Sequence, residues 1–367
     1  MKFIFDKDAM LKEIAIAQEI IATKNALSIL SNVFLIAEND TLTIKATDIK
    51  VNFVTQIPIE VEEEGSTTVF CDKFISILNS LPSGEVEFNQ SNTNIKIKPT
   101  TKKVQFTLKS MATDKFPEFA SEENISYFDI PAKEFKDMVT QTIFAVSDDE
   151  TRFFMNGVYF EKKDDNLILV ATDGRRLAFI SKPVFQGIDT FEPAIVPPKI
   201  LSSILKHASS EGNISIAIIE KMIFFKFDSY SFSSVLIDGQ FPNYSRVIPE
   251  AQDHHFMLNR QELLEALKRV GLLVEQKSRR IYFGLSDGML TITSQESDIG
   301  TAKEEIPCEY SGDEITIAMN LLYLLEPLKV INSDQIKFEF TEAMKAVTLK
   351  PNPESDFLHI IMPMQME

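Results

Sequence analysis

The stretch Leu42-Thr43-Ile44-Lys45-Ala46-Thr47-Asp48 decides how this chain is read, because it returns as Leu167-Ile168-Leu169-Val170-Ala171-Thr172-Asp173. Ala46 and Ala171 stand 125 residues apart. The preceding segments also match, Asn32-Val33-Phe34-Leu35 against Gly157-Val158-Tyr159-Phe160. A second landmark, Phe116-Pro117-Glu118-Phe119, recurs at the same offset as Phe241-Pro242-Asn243-Tyr244. Two landmarks that keep one spacing indicate a repeated structural module. A fainter third copy carries Tyr282-Phe283 and Leu290-Thr291-Ile292, with Met362-Pro363 in place of Phe-Pro.

Each module opens on helical spacing. Met10, Leu11, Ile14, Ala17, Ile20 and Ile21 form one apolar stripe; Phe135, Met138, Val139 and Ile143 form a second, and Leu263, Leu264, Leu267 and Val270 a third. Alternating segments follow, punctuated by Asn39-Asp40, Asp164-Asp165-Asn166 and Asp287-Gly288, as in antiparallel hairpins. A second helix is predicted over Asp72 to Ser80, Pro198 to His207 and Asn320 to Lys329, with Asp72 and Asn320 suited to capping and Pro198 to a first turn. More strands then complete each module. The fold class expected is α+β, three repeated domains of two helices and about eight antiparallel strands each, over residues 1–120, 128–248 and 255–367. Polar, Pro-containing linkers are expected near Glu118 to Tyr127 and Pro249 to His254.

A length of 367 residues agrees with two or three domains, and 44% hydrophobic residues with 29 Phe describe ordinary globular cores. No apolar run reaches the roughly 18 residues needed to span a bilayer, and Met1-Lys2-Phe3-Ile4-Phe5-Asp6 lacks a signal-peptide core, so a cytoplasmic protein is expected. Cys71 and Cys308 stand far apart, which suggests neither a disulfide framework nor a zinc site. The histidines His207, His254, His255 and His359 show no ligand spacing, and Asp148-Asp149-Glu150 lacks the regular oxygens and Gly of a calcium loop. Phosphate-cradling glycine loops and nucleophile signatures are likewise missing from the sequence. The expectation is a protein without catalytic centre, metal or cofactor.

A net charge of -17 argues against phosphate as a partner unless the cations are segregated. Lys7, Lys12, Lys73, Lys133, Lys136, Lys199, Lys206, Lys268, Arg269 and Lys329 all fall on the six predicted helices, whereas Glu62-Glu63-Glu64, Glu122-Glu123 and Glu304-Glu305 fall elsewhere. Such lysines suit any solvated helix, yet their presence on all six also fits a positive face for sequence-independent DNA contact. A repeat-built scaffold that binds only proteins explains the repeats equally well.

The residues Asn156-Gly157-Val158-Tyr159-Phe160, Ala171-Thr172-Asp173-Gly174-Arg175-Arg176-Leu177-Ala178, Asp238-Gly239-Gln240-Phe241-Pro242-Asn243-Tyr244 and the ending Met362-Pro363-Met364 resemble the bacterial DNA polymerase III beta subunit family, the replicative sliding clamps. The resemblance covers essentially the whole chain. It implies a head-to-tail homodimer closing a six-domain ring around duplex DNA, with partners that include the polymerase III core, the clamp loader, other polymerases and repair proteins. It also implies a hydrophobic peptide groove between the second and third domains, at Met155, Thr172, Gly174, Arg175, Arg176, Leu177, Pro242, Arg246, Val247, Met344, Ile360, Met362, Pro363 and Met364. For DNA it points to Lys24, Arg152, Phe153, Phe154 and Lys199, beside loop cations Arg279 and Arg280. The chain departs from the family pattern at Arg175 and in its tail Gln365-Met366-Glu367.

Overall fold

A computed structural model describes residues 1–21, 28–120, 125–184 and 191–366. The first repeat runs β1 (Lys2–Asp6), α1 (Lys7–Ile20), β2 (Asn32–Glu38), β3 (Thr41–Thr47), β4 (Val51–Pro58), β5 (Glu60–Glu63), β6 (Gly65–Phe70), α2 (Cys71–Ser80), β7 (Glu85–Ser91), β8 (Asn94–Pro99), β9 (Phe106–Lys109). The second runs β10 (Phe128–Pro131), α3 (Ala132–Thr140), β11 (Val158–Lys163), β12 (Asn166–Thr172), β13 (Arg176–Pro183), β14 (Ala194–Val196), α4 (Pro198–His207), β15 (Asn213–Ile219), β16 (Met222–Phe227), β17 (Tyr230–Val235). The third runs β18 (His254–Asn259), α5 (Arg260–Val270), β19 (Arg280–Ser286), β20 (Met289–Ser294), β21 (Lys303–Pro307), β22 (Ile315–Asn320), α6 (Leu321–Val330), β23 (Gln335–Phe340), β24 (Val347–Asn352), β25 (Phe357–Ile361).

These elements form two compact units, Met1–Ile130 with Gly212–Val235, and Pro131–Glu211 with Leu236–Glu367. The division cuts through the second repeat because strands pair across repeats. In the first unit one sheet has the order β5-β1-β7-β8-β9, and an eight-stranded sheet has the order β10-β15-β16-β17-β4-β3-β2-β6. In the second unit the eight-stranded sheet is β14-β11-β12-β13-β25-β24-β23-β18 and the smaller one β21-β20-β19-β22. Each large sheet has one seam where two repeats join: β4 with β17, placing Phe53 opposite Phe232, and β13 with β25, placing Ala178 opposite His359.

The periodic apolar stripes become the buried helix faces. In α1, Met10, Ile14, Ala17 and Ile20 are buried as the helix packs against β3, β4 and α2. The Asp6 carboxylate caps that helix, accepting from the Asp8 and Ala9 amides at 3.0 and 2.8 Å, a contact worth about 1 kcal/mol. Asn259 and Asn320 cap α5 and α6 in the same way. Asp72 does not cap α2: the helix starts one residue earlier, and Asp72 in its first turn instead accepts from the Gln18 amide at 2.7 Å. Both thiols are buried, and burial pushes Cys71 up to about 12 and Cys308 to about 11, so neither is a reactive thiolate.

The helix cations are less alike than the sequence suggests. Lys7 is buried against Asp8 at 2.7 Å, Lys136 donates to the Ala208 carbonyl at 2.7 Å, and Arg269 pairs with Glu304 at 2.9 Å. These three charges serve their own units. Lys73, Lys133, Lys206, Lys268 and Lys329 lie exposed on their helices.

Candidate functional site

The site is built on the seam of the second unit, around the turn that joins β12 to β13. Thr172 Oγ donates to the Arg176 carbonyl at 2.6 Å and accepts from the Gly174 amide at 3.1 Å. The Asp173 carboxylate accepts from the Arg175 and Arg176 amides at 2.8 and 3.1 Å. Asp173 and Thr172 thus lock the turn from both ends. Gly174 has φ +89, and a Cβ there would sit 2.7 Å from Arg152 Nη1, so glycine satisfies both the backbone and the neighbour.

Beside this turn lies an apolar cavity of about 110 Å³, lined by Met155, Thr172, Gly174, Arg175, Arg176, Leu177, Pro242, Tyr244, Val247, Ile360 and Met362. Its floor belongs to a packed cluster in which Ile168, Val170, Leu177, Ile195, Phe241, Tyr244 and Ile360 touch. The Phe-Pro landmark supplies one wall. Phe241 stacks on Tyr159 with centroids 4.7 Å apart, and Tyr244 donates to Glu161; burial and that hydrogen bond raise the Tyr244 phenol above its usual range.

Arg176 is not offered to a ligand as a charge. Its guanidinium bonds Asp173 at 3.0 Å, Glu326 on α6, and the Phe144 carbonyl at 2.6 Å, and lies 4.6 Å over the Tyr323 ring. The residue is 9% exposed. Beneath it His359 is fully buried, with Nε2 3.1 Å from the Tyr323 carbonyl; burial, then the Arg176 charge, lower its pKa to about 3. His359 is therefore neutral at any physiological pH.

Ten of the fourteen groove residues named from sequence line this cavity; Arg246, Met344, Pro363 and Met364 do not. Arg246 ends an exposed turn, Met344 lies exposed in the loop between β23 and β24, and Met364 holds the tail to β22 by donating to the Ala318 carbonyl at 2.7 Å. Tyr244 was missed, although it stands in the quoted Phe-Pro motif.

The residues named for DNA lie on several elements and in different surroundings. Lys24 lies outside the described residues. Arg152 bonds Asp149 at 2.8 Å and crosses Gly174, which puts it at the cavity rim. Phe153 is exposed, while Phe154 packs on the cavity's apolar cluster. Lys199 sits half-buried on α4, and Arg279 and Arg280 precede and open β19. No group of three or more His, Cys, Asp or Glu placed to hold a metal occurs among the described residues, and no described helix is long and apolar enough to cross a membrane.

Repeated α+β modules that share their sheets, with an apolar cavity opening on the seam, define a DNA-clamp fold that works through its surfaces. The chain matches the DNA polymerase III beta subunit in its N-terminal domain over residues 1–120, its central domain over 129–243 and its C-terminal domain over 245–365, and it belongs to that family of replicative processivity clamps, which are not enzymes. It is 47% identical to the beta sliding clamp of Treponema pallidum and 27% identical to that of Escherichia coli K12, each over the full length of both chains. The crystal structure of the DNA polymerase III subunit beta from Pseudomonas aeruginosa superposes with a TM-score of 0.94 at 29% identity, covering both chains completely.

Proposed function

We propose that two copies join head to tail into a ring of three domains per copy, divided near residues 120–128 and 248–255. Duplex DNA passes through the ring in the cytoplasm, and the seam cavity takes short apolar segments of the polymerase III core, the clamp loader, other polymerases and repair proteins. The strand pairing at the seams carries the reading. In both large sheets the third strand of one repeat's first hairpin group pairs with the last strand of the next repeat, β4 with β17 and β13 with β25. The two strands left over by this rule are β21 of the third repeat and β9 of the first, and each stands at a sheet edge. Pairing β9 of one copy with β21 of another applies the same rule a third time. It closes a ring from two copies and satisfies two exposed backbone edges.

The register of the existing seams carries over, setting Phe106 opposite the partner's Ala302. Val104, Leu272 and Ile299 are exposed apolar side chains suited to burial in that joint. A closed ring is held on DNA by topology, so weak, sequence-independent contact from the exposed helix lysines suffices, and the -17 charge is no obstacle.

The test is loading onto nicked circular DNA with a matching clamp loader and ATP, followed by linearisation. The ring stays on circles and runs off linear ends; equal retention on both overturns encirclement. Leu272→Asp is expected to shift sedimentation from dimer to monomer and abolish retention.

A further inference from the structure

Among the described residues, three methionines belong to the most exposed apolar side chains, and all lie between positions 344 and 366: Met344, Met362 and Met366. Met10, Met138, Met155 and Met319 are buried. Met362 is 41% exposed and lines the rim of the apolar cavity. Its counterpart at the other seam is Val235, which is 39% exposed. The backbone bond is the same at both places: Met362 donates to the Arg175 carbonyl at 2.8 Å, and Val235 to the Lys50 carbonyl at 2.9 Å. The fold thus accepts a branched, sulfur-free side chain at this position, and the thioether is a feature of the cavity and not of the strand.

A thioether needs no deprotonation before it reacts, so its susceptibility follows its exposure. We propose that Met362 is a modification site: peroxides oxidise it to the sulfoxide, and the oxidised rim rejects apolar partner segments until the sulfoxide is reduced. In the reaction a sulfur lone pair attacks one oxygen of hydrogen peroxide. The S–O bond forms as the O–O bond breaks, and the attacked oxygen's proton goes to the departing hydroxide, which leaves as water. Sulfur loses two electrons and the peroxide gains them. The product puts a strongly polar oxygen among Leu177, Val247 and Ile360, where an entering apolar side chain strips its water and returns no hydrogen bond. The site rests on the reading of this cavity as the partner groove.

The test treats the full-length dimer with hydrogen peroxide, maps sulfoxides by mass spectrometry and follows binding of a short fluorescent peptide rich in leucine and phenylalanine. Affinity is expected to fall about tenfold or more as Met362 is oxidised, and to recover after methionine sulfoxide reductase with a thiol reductant. In Met362→Leu the ratio of treated to untreated affinity is expected to stay at one, whatever its starting affinity. Untreated protein that binds no peptide overturns the groove reading and this site together. Protein that binds peptide equally well with Met362 fully oxidised overturns the site alone. A Met362→Leu variant that loses affinity as the parent does also overturns it, since the effect then arises at a residue other than Met362.

Discussion

The two seams share a backbone and differ in what fills it. At the first, Thr47-Asp48-Ile49-Lys50-Val51 makes the turn that Thr172-Asp173-Gly174-Arg175-Arg176 makes at the second. Thr47 Oγ accepts from the Ile49 amide at 2.9 Å and lies 3.1 Å from the Val51 carbonyl, and Asp48 accepts from the Lys50 and Val51 amides at 2.9 and 2.7 Å. Leu177 and Ile360, which floor the cavity, are matched by Asn52 and Ser233. These two bond each other at 3.1 Å, and Thr47 donates to Asn52 at 2.6 Å. Three polar groups that satisfy one another stand where Leu177 and Ile360 give the second seam its apolar floor. The apolar cavity is therefore a choice of side chains on a repeated frame, and the frame alone does not make it.

The largest expected effect comes from writing the first seam's residues into the second. Leu177→Asn with Ile360→Ser in one chain replaces two buried apolar side chains, 2% and 0% exposed. Binding of apolar peptides by fluorescence anisotropy is expected to fall more than about a hundredfold, since each lost side chain is worth ~1.5–3 kcal/mol of burial. The protein is also expected to lose several kcal/mol of stability to urea, because cavity terms add to the transfer cost. Ring retention on circular DNA should survive in the folded fraction. Unchanged peptide affinity would sink the comparison.

A second expectation concerns the buried, neutral His359 beside Arg176. His359 occupies the place that Phe232 holds at the first seam, opposite Ala178 where Phe232 faces Phe53. Its folded pKa is about 3 and its reference value 6.5, so below pH 6.5 the unfolded chain takes up a proton that the folded chain refuses. The neutral histidine's contribution is complete above pH 6.5 and is lost as pH falls from there toward 3. Urea titrations of the parent and His359→Phe are expected to show the variant gaining on the parent as pH falls across that window. Parallel stability profiles would mean that His359 is protonated in place.

How much of this was legible in sequence follows from what each feature depends on. The repeat, the helix stripes and the hairpins depend on local periodicity, and they appeared where the spacing put them. The cavity was found through motifs, and even Tyr244 stood in view inside Phe241-Pro242-Asn243-Tyr244. The pairing of β4 with β17 joins residues about 180 positions apart, such as Asn52 and Ser233. No periodicity names such a partner. The helix cations show the same limit: Lys136 and Lys133 read alike, and only the fold reveals that the Ala208 carbonyl takes one of them.

The smallest effect tests the turn itself. Ile49 is the first seam's counterpart of Gly174, and it holds φ +81, a region where a branched side chain is strained by about 1–2 kcal/mol. It is also 64% exposed, so burial recovers little of that cost. Ile49→Gly relieves the strain but frees the unfolded chain, which offsets roughly 0.5–1 kcal/mol. The net expectation is a gain of up to about 1 kcal/mol in urea unfolding, with peptide binding unchanged because the cavity lies at the other seam. A loss of stability would show that the Ile49 side chain makes a contact worth more than its strain. The first seam would then have a packing role of its own, and the contrast with the open cavity would no longer rest on Asn52 and Ser233 alone.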